Sequence, residues 1–211
     1  LFDEGHGEIV HDRSQVGEAL DVTMESPDRV AWLPIGALEI KEETVIRSVA
    51  PHEKVYRQIA ETDAFSVSVW FQPASLEQHG PARIVSYSES PFSRNFMIGQ
   101  EGAELHFRVR DLLSGRNGTG WDLKARALQS SSEPTHAIVT YDKGFKSLYV
   151  NGAMVLDAPP PDGLTLIVRS LHFDSESPFH KFIVGFLLIG GAGLQLWPLA
   201  LKDEWNSRKL E

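Results

Sequence analysis

Residues 147–155, SLYVNGAMV, constrain the fold of this chain more than any other stretch. Asn151 and Gly152 tolerate the positive φ angles of a type I′ turn, so the short apolar-alternating runs on either side are expected to fold back as a hairpin. The same period of two runs through most of the first 155 residues. FSVSVWF places Phe65, Val67, Val69 and Phe71 on one face and Ser66, Ser68 and Trp70 on the other, as a half-buried strand requires. ELHFRVR sends Leu105, Phe107 and Val109 inward and His106, Arg108 and Arg110 outward. NFMIGQEGAELHFRVR reads as a second hairpin that turns through Gly99 to Gly102. Turn residues cluster at GHG, ESPD, HGPA and SGRNGTG, and no long amphipathic helix interrupts the strands. That pattern predicts an all-β, antiparallel β-sandwich.

Composition narrows the functional classes. At 211 residues, 42% hydrophobic and 23% charged, the chain has the make-up of a globular protein with one sizeable core. A net charge of -9 argues against nucleic acid as a partner, because such binding displaces counterions with a basic face. The absence of cysteine removes disulfides, thiolate chemistry and cysteine zinc sites together.

The strands also resemble a known family. LFDEGHGEIVHDRS resembles the opening strand and loop of laminin-G-like, concanavalin A-like jelly rolls. FSVSVWFQP resembles their central strand, and HAIVTYDKGFKSLYVNGAMV their most characteristic strand and hairpin. The resemblance covers residues 1–157. Residues 80–110, GPARIVSYSESPFSRNFMIGQEGAELHFRVR, are similar to laminin-G-like domains attached to membrane segments in some bacterial proteins, including certain VanZ-like ones. It implies a jelly roll standing outside the cytoplasm, in a role of binding or scaffolding more than catalysis.

APPPDG, residues 158–163, is a stiff break, and the text changes character after it. FIVGFLLIGGAGLQLWPLAL, residues 182–201, carries no charge and is flanked by Lys181 and Lys202. Its eleven Leu, Ile, Phe and Val side chains would gain about 3–7 kcal/mol on membrane insertion. Twenty helical residues span roughly 30 Å, one hydrocarbon core. Gly185, Gly190, Gly191 and Gly193 would let another helix pack closely. Two readings stay open: a single membrane-spanning helix, or buried strands that complete the sandwich. The expected layout takes the first, with a jelly roll at 1–157, a linker at 158–181, a transmembrane helix at 182–201 and a cytoplasmic tail at 202–211. Lys202, Arg208 and Lys209 near the end place the tail inside and the β domain on the extracytoplasmic, periplasmic side.

Few constellations carry chemistry. Arg83, Arg94, His106, Arg108 and Arg110 would share a basic sheet face if their strands pair, making a candidate contact for an acidic partner. His6 and His11 lie in a loop with Asp3, Glu4, Glu8 and Asp12, a candidate Ca²⁺ site. Glycoside hydrolysis needs two carboxylates on one face. Glu39 with Glu43, and Asp174 with Glu176, have the spacing without the motif, and a solvated acidic face explains both. SGRNGTG lacks the Lys-Ser/Thr of a phosphate loop and reads as an exposed loop; Asn117-Gly118-Thr119 within it is formally a glycosylation sequon.

The sequence therefore predicts a non-catalytic, membrane-anchored binding module without a cofactor, an accessory or scaffolding subunit among other membrane protein subunits. The alternative is a lectin-like module that binds glycan through loop aromatics such as Trp121 or Phe92, and a glucanase-like hydrolase is the remote one.

Overall fold

The computed structural model describes residues 2–49, 53–110, 114–159, 181–184 and 194–197, the last two segments through their backbone. Fifteen strands and one α-helix occur among them. The N-terminal part supplies β1 (Ile9–Val10), β2 (Val22–Met24), β3 (Val30–Leu33), β4 (Ala37–Ile40) and β5 (Ile46–Ser48). Then come α1 (Glu53–Thr62), β6 (Ala64–Gln72), β7 (Ala82–Ser90), β8 (Ser93–Glu101), β9 (Glu104–Val109) and β10 (Leu123–Arg126). β11 (Thr135–Asp142), β12 (Phe145–Val150), β13 (Ala153–Ala158), β14 (Lys181–Val184) and β15 (Leu194–Trp197) complete the set. These described strands form two sheets, one ordered β1-β2-β5-β14-β7-β8-β9-β10 and the other β13-β12-β11-β6-β15-β4-β3. Every pairing is antiparallel.

One core lies between the sheets. Val67, Val69 and Phe71 of β6, with Val139 and Leu148 beside them on β11 and β12, pack in one cluster with Leu105, Phe107 and Val109 of β9 and Ile98 of β8. Phe65 anchors its aromatic part, 4.8 Å from the Phe96 ring and 5.6 Å from that of Tyr141, separations at which offset rings attract. The inward residues of both alternating runs are thus the ones that join the core, as period two requires.

The β12–β13 hairpin turns at Asn151 (φ 50°) and Gly152 (φ 83°), the two positive angles expected there. The Asn151 backbone N–H donates to the His136 carbonyl, and its Oδ1 accepts from the His136 N–H, which ties the turn to β11. In the β8–β9 hairpin the turn is tighter than expected. It uses Gly102 and Ala103, while Gly99 sits inside β8 opposite His106. A Cβ at Gly99 would meet the Ala82 carbonyl at 2.9 Å, so close packing of β7 on β8 explains this glycine.

Two elements differ from expectation. α1 is a short helix whose Val55, Tyr56 and Ile59 pack on the core at one-turn spacing, a pattern too brief to stand out from EKVYRQIAET. In place of a helix over 182–201, the described parts of that stretch are strands. β14 pairs with β5 and β7, and β15 with β4 and β6. The physical reason is that each fills a gap between strands whose backbone groups need partners on both sides. No helix of the described residues is long and apolar enough to cross a membrane. Gly185, Gly190, Gly191 and Gly193, with the packing role expected of them, lie outside the described residues.

Candidate functional site

The face of the eight-stranded sheet turned away from the core is the candidate site, because it buries polar groups where an antiparallel sheet ordinarily meets water. Ser86, Met97 and Arg108 stand in one row across β7, β8 and β9, and Arg83, Gly99, His106 and Lys124 form the next row, reaching β10. Ser88 stands opposite Arg94. Ser86, Ser88, Arg94, Met97 and His106 are all at most 4% exposed, and Met97 is buried apart from the core cluster.

Two register shifts build this face. Along β7, pairing skips from Arg83 to Val85, and Tyr87 and Ser88 pair with Phe96 and Arg94, passing over Asn95. Each shift inserts a residue in one strand and so reverses the side on which the next one emerges. Arg83 thereby leaves the side of Val85, and Arg94 leaves that of Phe96 and joins Met97. Strict alternation would have driven Arg94 into the core.

Four of the five basic residues expected here do converge. Arg94 feels both Arg83 and Arg108, and burial with those two like charges pulls its guanidinium down to about 10. Burial also lowers Arg83. Arg110 lies just past β9, its N–H donating to the Asn95 carbonyl.

One carboxylate is built into the site. Asp122 Oδ2 takes His106 Nδ1 at 3.3 Å, Arg108 Nε at 3.2 Å and Lys124 Nζ at 3.6 Å. Glu101 and Glu104 on the β8–β9 turn approach His106 Nε2 at 3.4 and 3.7 Å. Burial nevertheless lowers the His106 pKa, outweighing the Asp122 hydrogen bond, so the ring is neutral near pH 7.

Arg94 has no such partner. Its Nη1 lies 2.6 Å from Met97 Sδ, its Nη2 donates to the Pro91 carbonyl, and its buried Nε has no acceptor. Glu89, on the same turn, accepts instead from Ser93 Oγ at 3.0 Å. Phe92 projects from this turn, 77% exposed. Trp121 is occupied: Lys146 Nζ sits 4.0 Å over its ring and 2.6 Å from its carbonyl.

The SGRNGTG loop is more than an exposed connection. Its Arg116 carbonyl accepts from the Arg94 N–H, its Ser114 Oγ donates to the Val109 carbonyl, and Gly118 (φ 67°) passes so close that a Cβ would lie 3.2 Å from that of Arg108. Beside the β8–β9 turn opens a pocket of about 610 Å³, lined by Leu76, Glu101, Glu104, Arg126 and Gln129 among others.

The N-terminal acidic loop does not gather around a cation. Asp12 accepts from the N–H groups of Ser14 and Leu20 and from Lys54 Nζ; Asp21 accepts from His11 Nδ1 at 2.8 Å and from the Asp12 N–H. Glu4 Oε1 accepts from the His11 N–H, and Asp3 from Arg13. Among the described residues no group of three or more His, Asp or Glu side chains is placed to hold a metal ion. Glu39 stands on β4 whereas Glu43 lies in the following loop, so they do not form a same-face strand pair. Asp174 and Glu176 lie outside the described residues.

The fold is an antiparallel sandwich of two sheets. The chain belongs to the laminin-G-like family of the concanavalin A-like lectin/glucanases superfamily, whose pattern matches residues 49–169. No curated relative matches in sequence. Among solved structures it is similar to the binding domain of botulinum neurotoxin serotype D, with a TM-score of 0.60 at 13% identity over 91% of this chain and 46% of that one. The serotype D ligand-binding domain in complex with N-acetylneuraminic acid gives 0.56 at 12% identity, covering 93% of this chain and 47% of that one. A structure of botulinum neurotoxin type C, whose cell entry is dependent upon interaction with two ganglioside molecules, gives 0.60 at 14%, covering 92% and 46%. The chain spans about half the length of these structures, and identities this low speak to fold alone.

Proposed function

We propose that this chain is a non-catalytic binding module that recognises a glycan on the non-core face of its eight-stranded sheet. The observation that supports this best is the burial of Ser86, Ser88, Arg94 and His106 on a face that contributes nothing to the core. Polar groups are buried at a cost, and the unpartnered Arg94 Nε, with the half-buried Arg83 nearby, leaves that cost open to a polar ligand. Phe92 offers an exposed ring beside it for stacking on a sugar. Two structural neighbours add support, one in complex with N-acetylneuraminic acid and one whose cell entry is dependent upon interaction with two ganglioside molecules.

The test is retention of the full chain on immobilised glycans. Retention that free sugar reverses, and that Phe92→Ala weakens in a protein of unchanged Tm, is expected. A folded chain that no glycan retains overturns the reading. The scaffold reading, a single-pass subunit with its β domain in the periplasm, rests on the charge-free text of 182–201. Co-purification with stoichiometric membrane partners after detergent extraction would favour it over the glycan module.

A further inference from the structure

The non-core face holds more hydrogen-bond donors than acceptors, and the excess collects around Arg94. Its buried Nε has no acceptor, and its two other nitrogens meet a thioether sulfur and a carbonyl, both neutral. Across from it, Ser86 and Ser88 hydrogen-bond to each other through their hydroxyls, both fully buried. That bond uses one hydroxyl hydrogen, and no acceptor among the described residues takes the other. Arg108 brings a second guanidinium, tied to Asp122 through Nε alone, and Arg83 a third that is only half-buried and gives the cluster an edge on solvent. No carboxylate among the described residues lies within ion-pair distance of Arg94 or Arg83. The face therefore carries three guanidinium charges against the single buried carboxylate of Asp122, which Lys124 and His106 already share.

A buried cation without a counter-ion destabilises a fold. A group that accepts hydrogen bonds and donates none would satisfy Arg94 Nε and the spare serine hydroxyl across from it, with the charges of Arg83 and Arg108 close enough for Arg94 to feel them. An oxyanion has that character and also supplies the missing negative charge, and guanidinium forks match its geometry. We propose that Arg83, Arg94 and Arg108, with the Ser86–Ser88 hydroxyl pair, form a binding site for a ligand oxyanion. In the setting of the glycan-binding reading, on which this form of the inference rests, the oxyanion is the carboxylate or sulfate of an acidic sugar.

The experiment follows the Tm and binding heat of the full chain during titration at fixed ionic strength with sodium sulfate and, separately, sodium glucuronate. Chloride balances the salt, and glucose serves as the uncharged control. Saturable stabilisation by at least one anion, and none by glucose, is expected. A glucuronate response without a sulfate response assigns a carboxylate ligand; the reverse assigns a sulfate. Arg94→Met should weaken binding by about tenfold or more, since a charge-assisted hydrogen bond is lost, while leaving Tm in anion-free buffer unchanged or higher. Arg83→Gln, at a half-buried position, should weaken it as well, and Arg126→Gln on β10 should not. The proposal is overturned if neither anion stabilises beyond chloride, or if Arg94→Met and Arg83→Gln bind as the parent does. The sulfate titration contains no sugar, so its failure is distinct from a failure of glycan retention.

Discussion

Single residues set the pH response of this protein, and two of them pull in the same direction. Burial alone would raise the Asp12 carboxyl. The Lys54 contact and the Leu20 and Ser14 N–H bonds outweigh it and hold the group well below the ordinary carboxylate range. A carboxyl lowered by folding stabilises above its unfolded value near 3.8 and loses that contribution as the pH drops through the folded value. Asp12→Ala should therefore cost about 1.5–3 kcal/mol at pH 7, and the difference from the parent should shrink below about pH 4 in urea-unfolding series. His106 acts higher on the scale. Its ring is kept neutral by burial, so the stability it permits is present above about 6.5 and is lost as the pH falls below that value. His106→Asn should flatten the decline in Tm between about pH 7 and 5, with the imidazole titration of the parent, followed by NMR, as the direct check.

At the scale of elements, a short loop holds the site together. Gly118 lies in the left-handed region with Arg108 Cβ 3.2 Å from where its own would be, in the loop whose Arg116 carbonyl ties down the Arg94 N–H. Gly118→Ala should cost about 1–3 kcal/mol by chemical denaturation, and it should displace Arg108 enough to weaken sulfate binding. The face itself was partly legible in the sequence. The alternation of ELHFRVR put His106 and Arg108 on one side, and the strands pair as that reading needs. Arg83 and Arg94 arrive there through register shifts at Ile84 and Asn95, which no local propensity announces, because neither inserted residue is a glycine or proline. Burial was equally hidden. An outward position on a strand reads as solvated, yet His106 is 1% exposed. The SGRNGTG loop looked exposed for the same reason: its glycines signal a turn but not what the turn lies against.

For the whole molecule, the sandwich class followed from period two, while the order of its strands did not. Hydropathy reports how apolar a segment is and not whether its partners are lipid or neighbouring strands. The charge-free text of 182–201 therefore suited either a spanning helix or central strands. β14 and β15 are central, and each is bounded on one side by a strand from the first 48 residues and on the other by β7 or β6. A chain ending at residue 161 should therefore lose cooperative unfolding and near-ultraviolet dichroism. A truncated chain that stays folded, paired with a full chain that only detergent extracts, would instead restore the anchor.

The position of those two strands also governs how the protein is born. During synthesis β1 to β5 and β6 to β13 leave the ribosome first, yet neither sheet joins its halves until β14 and β15 follow. Until they do, the chain exposes facing strand edges in both layers, the contacts that close them are far apart in sequence, and such species associate readily. A pause in synthesis between β13 and β14 should therefore lower the soluble yield, and a coexpressed holding chaperone should restore it.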